Sequence, residues 1–130
     1  MKKRVTIIII TIIILSLSLG FRLRAILPQN ADIYTVWLYD SLNSKEIELS
    51  EEEKTAILDS IKTSKMRLSL GYKNAVPDYI LIIGYHKGHY SYNLNLQILH
   101  DTSYVKINDK IFHMRIINND LYNILTDQVL

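Results

Sequence analysis

Asp78-Tyr79-Ile80-Leu81-Ile82-Ile83-Gly84-Tyr85-His86, then Lys87-Gly88, then His89-Tyr90-Ser91-Tyr92-Asn93-Leu94-Asn95-Leu96-Gln97-Ile98 is the stretch that decides the fold. Its two arms are rich in β-branched and aromatic residues, and the second arm alternates polar with apolar. A two-residue turn signal separates them, so the stretch reads as a β-hairpin. With Lys87-Gly88 as the turn, His86 stands opposite His89. Tyr79, Leu81, Ile83 and Tyr85 then share a face with Tyr90, Tyr92, Leu94 and Leu96. The other face collects Ile80, Ile82, Gly84 and His86 with His89, Ser91, Asn93, Asn95 and Gln97. A slip of one residue would turn every side chain to the wrong side, so the pattern specifies which residues enter the core.

Downstream, residues 100–102 turn the chain and 103–107 return as a third strand. Asn108-Asp109 is a second two-residue turn signal, and 110–117 complete a four-stranded meander. Placing Ile107 opposite Lys110 sets Val105 against Phe112 on the core side and Tyr104 against His113 on the polar side. Asn118 or Asn119 caps a last helix, 120–129, with Leu121, Ile124, Leu125 and Val129 as its apolar stripe. Upstream, 32–39 and 46–49 read as a pair of strands. Ser50-Glu51-Glu52-Glu53 forms a capping box that opens a helix to about residue 63, burying Ala56, Ile57, Leu58 and Ile61. Residues 66–70 can add another strand. The expected fold class is α+β: an antiparallel sheet, made of a four-stranded meander plus an N-terminal strand pair, with two helices packed on one face. About 100 residues suffice for one core without disulfides, and the chain has no cysteine.

The N-terminus differs from the rest. Met1-Lys2-Lys3-Arg4 is cationic, and residues 5–21 then run without a charge up to Arg22. As a helix the run reaches roughly 25 Å against a hydrocarbon thickness of ~30 Å. It is short for a span and long for the apolar part of a secretory signal. Residues 1–24 are therefore read as a signal-anchor or a cleaved signal peptide, 25–31 as a linker and 32–130 as an extracytoplasmic domain. Lys2, Lys3 and Arg4 hold the start of the chain in the cytoplasm. The lipid bilayer is the expected partner of residues 5–21. If the run is removed, Ser18-Leu19-Gly20 offers small residues for cleavage near Gly20.

Charge divides the same way. Five of the 15 Lys and Arg precede Ala25, and none of the 13 Asp and Glu do. Ten bases against thirteen acids remain, a net charge of −3. No basic run in the domain suggests nucleic-acid binding.

The chain resembles small membrane-anchored extracytoplasmic proteins of unknown function from Gram-positive bacteria. The residues that carry the resemblance are 45–53 (Lys-Glu-Ile-Glu-Leu-Ser-Glu-Glu-Glu), 77–82 (Pro-Asp-Tyr-Ile-Leu-Ile) and 107–112 (Ile-Asn-Asp-Lys-Ile-Phe). It implies a location and an architecture, and brings no catalytic residues.

Candidate chemistry is sparse. There is no cysteine, no Gly-x-Ser-x-Gly and no glycine-rich phosphate loop, so no enzymatic activity and no cofactor are expected. His86 and His89, if paired across the turn, would lie ~5 Å apart and are the weak candidates for a metal or pH-sensing site, although zinc wants three or four ligands. The polar sheet face supplies the candidates for binding an envelope protein or small envelope ligand: Ser91, Asn93, Asn95, Tyr104, His113 and Arg115. Ile80, Ile82 and Ile111 interrupt that face with exposed apolar surface. A hydrolase of unrecognised type is the remaining alternative.

Overall fold

The computed structural model describes residues 2–69, 76–107, 113–117 and 120–129. The chain is α+β. Helix α1 (Lys2–Phe21) leads into strands β1 (Arg24–Ala25), β2 (Asp32–Asp40) and β3 (Lys45–Ile47). Helix α2 (Glu51–Thr63) and strand β4 (Lys65–Leu68) follow. The meander is β5 (Tyr79–Lys87), β6 (Tyr90–Ile98), β7 (Ser103–Ile107) and β8 (Met114–Ile117). Helix α3 (Asp120–Ile124) runs into a π-helical turn, Leu125–Val129. All eight strands form one antiparallel sheet in the order β1-β4-β8-β7-β6-β5-β2-β3.

The sheet is larger than the sequence suggests, because two strands join beyond β8. β4 pairs with β8, and β1, only two residues long, pairs with β4. That order forces curvature. β1 and β2 stand six places apart, roughly 29 Å across a flat sheet at ~4.8 Å per strand. The seven steps from Ala25 to Asp32 reach at most about 24 Å. The sheet therefore curls, and the connecting segment crosses its concave side, with Ile26 and Leu27 buried in the core. Within the expected linker, 25–31, Ile26 and Leu27 are thus packed into the domain.

One core fills the concavity. Leu38, Leu81, Leu96 and Val105 stand in register across β2, β5, β6 and β7, and all are fully buried. Met66 and Ile116 extend this core to β4 and β8, while Ile57 and Ile61 of α2 and Leu121 and Leu125 cover it. The capping box forms as read: the Glu53 amide donates to Ser50 Oγ and the Ser50 amide donates to Glu53 Oε1, both at 3.2 Å. Ala56 and Leu58 are only half-buried.

The hairpin keeps its faces and shifts its register. Its turn is Gly88-His89, and Lys87 pairs with Tyr90, Tyr85 with Tyr92, and His86 with Ser91. Gly88 has φ +62 and His89 has no positive φ, the pattern of a type II′ turn, which needs glycine first. Centring the turn on Lys87-Gly88 would place lysine at that position. Moving the turn by one residue moves every cross-strand pair by two, so the parity survives. Tyr79 and Tyr85 are buried and Tyr92 half-buried, whereas Tyr90, beside the turn, is 70% exposed. A two-residue shift also separates β7 and β8 from expectation. Val105 faces Met114, and Tyr104 faces Arg115 rather than His113. The Asn108-Asp109 turn, Phe112 and Ile111 lie outside the described residues.

Candidate functional site

The convex face of the sheet gathers most of the candidate residues. Along β2, alternation sends Leu38 inward and Trp37 and Tyr39 outward, where their rings stack at 5.6 Å with 11° between planes. Cross-strand pairing then defines two rows. One runs Tyr39, Ile80, Gln97, Tyr104, Arg115, Arg67. The other runs Trp37, Ile82, Asn95, Lys106. Each starts aromatic and aliphatic over β2 and β5, passes through amides on β6 and ends basic. Trp37, Tyr39, Ile80 and Ile82 are all half-buried. The aromatic end was not among the sequence candidates, although the 37/39 alternation around Leu38 could have pointed to it.

The six candidates are not equivalent. Asn95 and Arg115 are exposed on this face as expected. Tyr104, read as part of an open surface, is only 6% exposed. Its neighbours in the row, Gln97 and Arg115, flank it closely. His113 is half-buried; burial, and secondarily the Lys106 ammonium, hold its imidazole below the ordinary value. Both causes favour the neutral ring.

Ser91 and Asn93 belong to a separate, internally bonded cluster. A register irregularity between Ile33 and Thr35 makes Tyr34 the extra residue of a β-bulge. Its ring lies over Gly84, where an added Cβ would come within 2.6 Å of Tyr34 Cζ and 2.7 Å of Thr35 Cγ2. The same ring stacks on His86 at 4.5 Å, and its hydroxyl donates to Asn93 Oδ1 at 3.2 Å. Ser91 Oγ lies 2.9 Å from His86 Nδ1. His86 is therefore engaged by Tyr34 and Ser91, not paired with His89, and the two-histidine site loses its cross-strand geometry. Among the described residues, no three His, Asp or Glu side chains come together to hold a metal.

A concavity of about 270 Å³ lies at the β6–β7 turn, lined by Asp78, Leu99, His100, Asp101, Thr102 and Tyr104. His100 Nδ1 sits 2.9 Å from Asp101 Oδ1, but the two side chains are 75% and 91% exposed. An imidazole and carboxylate this open to water have little of the dry, preorganised setting that catalysis uses.

Helix α1 is the other candidate element. Val5, Ile7, Ile8, Ile9, Ile10, Ile12, Ile13, Ile14, Leu15 and Leu17 are exposed all round it. Thr6, Thr11 and Ser16 donate their hydroxyls to carbonyls of Lys2, Ile7 and Ile12 at 2.8–2.9 Å. From Lys2 to Ser18, about 25 Å along the axis, every side chain is exposed. No helix among the described residues is long and apolar enough to cross a membrane.

No family model, curated protein or solved structure matches this chain.

Proposed function

We propose that the chain is an extracytoplasmic, non-enzymatic binding module that α1 either holds in the membrane or exports to it. The observation that carries this reading is the absence of any polar face on α1. A helix apolar all round belongs inside a protein or a bilayer, and this one is exposed. Ten large aliphatics, each roughly half exposed, forgo on the order of 10 kcal/mol of transfer free energy in water, comparable with the whole stability of a small domain. The hydroxyls bonded back to the helix suit a lipid surround, where unpaired polar groups are costly. The uncharged part of α1, residues 5–21, covers about 25 Å, and Arg22 can reach toward the headgroups. The binding surface is the convex face, where the Trp37–Tyr39 stack adjoins exposed Asn95. Aromatic surface beside amides is the composition of recognition patches, and an envelope protein or small envelope ligand is the occupant proposed. Alkaline extraction of native membranes followed by mass spectrometry of the N-terminus tests the location. Retention of a chain beginning at Met1 is the anchored outcome, and release of one beginning near Phe21 is the exported outcome. Recovery of the full chain from the cytosol overturns the reading.

A further inference from the structure

Charge is sorted along the sheet in a way the sequence does not display. Strands β1, β4, β7 and β8 carry Arg24, Lys65, Arg67, Lys106 and Arg115 and no acid. The acids concentrate at the opposite edge, where exposed Glu46 and Glu48 lead into Glu51 and Glu52 of α2. Pairing sets Arg67 directly opposite Arg115, and both are exposed. Like charges facing each other across a ladder are destabilising, and among the described residues neither arginine is in an ion pair. The same edge is where α1 arrives. β1 runs antiparallel to β4 with Arg24 opposite Met66, so the chain preceding Arg24 passes toward Arg67, and α1 touches β4.

We infer that this basic edge, centred on Arg67 and Arg115 with Lys65 beside them, lies against anionic phospholipid headgroups of the leaflet from which the domain emerges. The inference rests on the anchored reading of α1 and adds an orientation to it: the β1-β4-β8 edge faces the bilayer and the acidic β3–α2 edge faces away. Phosphate oxygens between the two guanidinium groups relieve their mutual repulsion and accept their fork of donors. Each basic group near an anionic surface contributes about 1 kcal/mol, a fivefold bias, over roughly a Debye length. The continuity of α1 with this edge supplies the proximity.

The test uses the full chain in vesicles of phosphatidylcholine alone and of phosphatidylcholine with phosphatidylglycerol, with dicarbonyl modification of arginine and acylation of lysine read by mass spectrometry. The expected result is about fivefold slower modification of Arg67, Arg115 and Lys65 in the anionic vesicles, reversed by high salt. Lys45, on β3, keeps one rate in both. In an Arg67→Gln/Arg115→Gln variant, whose changes are confined to exposed side chains, the modification rate of Lys65 in anionic vesicles rises toward its rate in neutral ones. Equal rates in the two vesicles, with the chain still floating with both at high salt, overturn the orientation and leave the anchor standing. Protection of Lys45 equal to that of Lys65 also overturns it. A chain that does not float with neutral vesicles overturns the anchor and this inference together.

Discussion

Gly84 shows how much one missing side chain can organise. The bulge at Tyr34 drops a phenol ring onto the backbone of β5, and only the absence of a Cβ leaves room for it. Gly84→Ala is expected to push the ring away, breaking the stack on His86 and the bond to Asn93, at a cost of about 1–2 kcal/mol. Urea unfolding of Gly84→Ala, Tyr34→Ala and the double variant checks it, since the two losses should overlap rather than add. Asp40 is a second decisive residue. It is 2% exposed, and its carboxylate accepts from the Leu42 and Asn43 amides at 3.1 and 3.2 Å and from Asn43 Nδ2 at 2.7 Å, closing the turn from β2 to β3. The Asn43 side-chain bond is the main reason its carboxyl stays below the usual carboxylate value; burial pulls the other way without prevailing. A lowered folded value means that its stabilisation is present above the unfolded carboxylate pKa, about 3.9, and is lost as pH falls through the folded value. Acid unfolding curves of Asp40→Asn should accordingly lose part of the wild-type slope below that pH.

Among the elements, α2 is the one whose ends and interior agree most closely with local chemistry. Ser50→Ala removes one half of the capping box and should cost about 1 kcal/mol, measurable as a lowered thermal midpoint with the slope of urea unfolding unchanged. The elements also show why some of this fold could be read in advance and some could not. The β5–β6 faces follow from alternation, which survives a shift of the turn, and so Leu81, Ile83, Leu94 and Leu96 are core residues in either register. The turn position hinges on which of Lys87 and Gly88 adopts a positive φ first, and a dipeptide signal does not resolve that. β1 is Arg-Ala, a pair with no strand preference of its own; β4 makes it a strand. The convex face was only partly legible because burial of Tyr104 and the bulge at Tyr34 are tertiary events, and because Arg67 and Arg115 meet across strands 48 residues apart in sequence.

For the whole molecule, the segment between β1 and β2 decides how far the domain depends on what precedes it. A chain starting at Phe21 keeps β1, Ile26 and Leu27, and is expected to unfold in urea with the full stability of the domain. One starting at Pro28 loses two aliphatics that are 2% and 3% exposed, about 3–6 kcal/mol at ~1.5–3 kcal/mol each, and should be close to unfolded. Comparing the two truncations by circular dichroism and urea titration separates a domain that is self-sufficient without α1 from one that also needs its crossing segment. The same arrangement sets a mechanical property. Any tension applied through the N-terminal helix enters the domain at a strand only two residues long. That strand is the natural first point of yield: its peeling draws Ile26 and Leu27 out of the interior, so a sustained pull would loosen the curled sheet from its most weakly fastened edge.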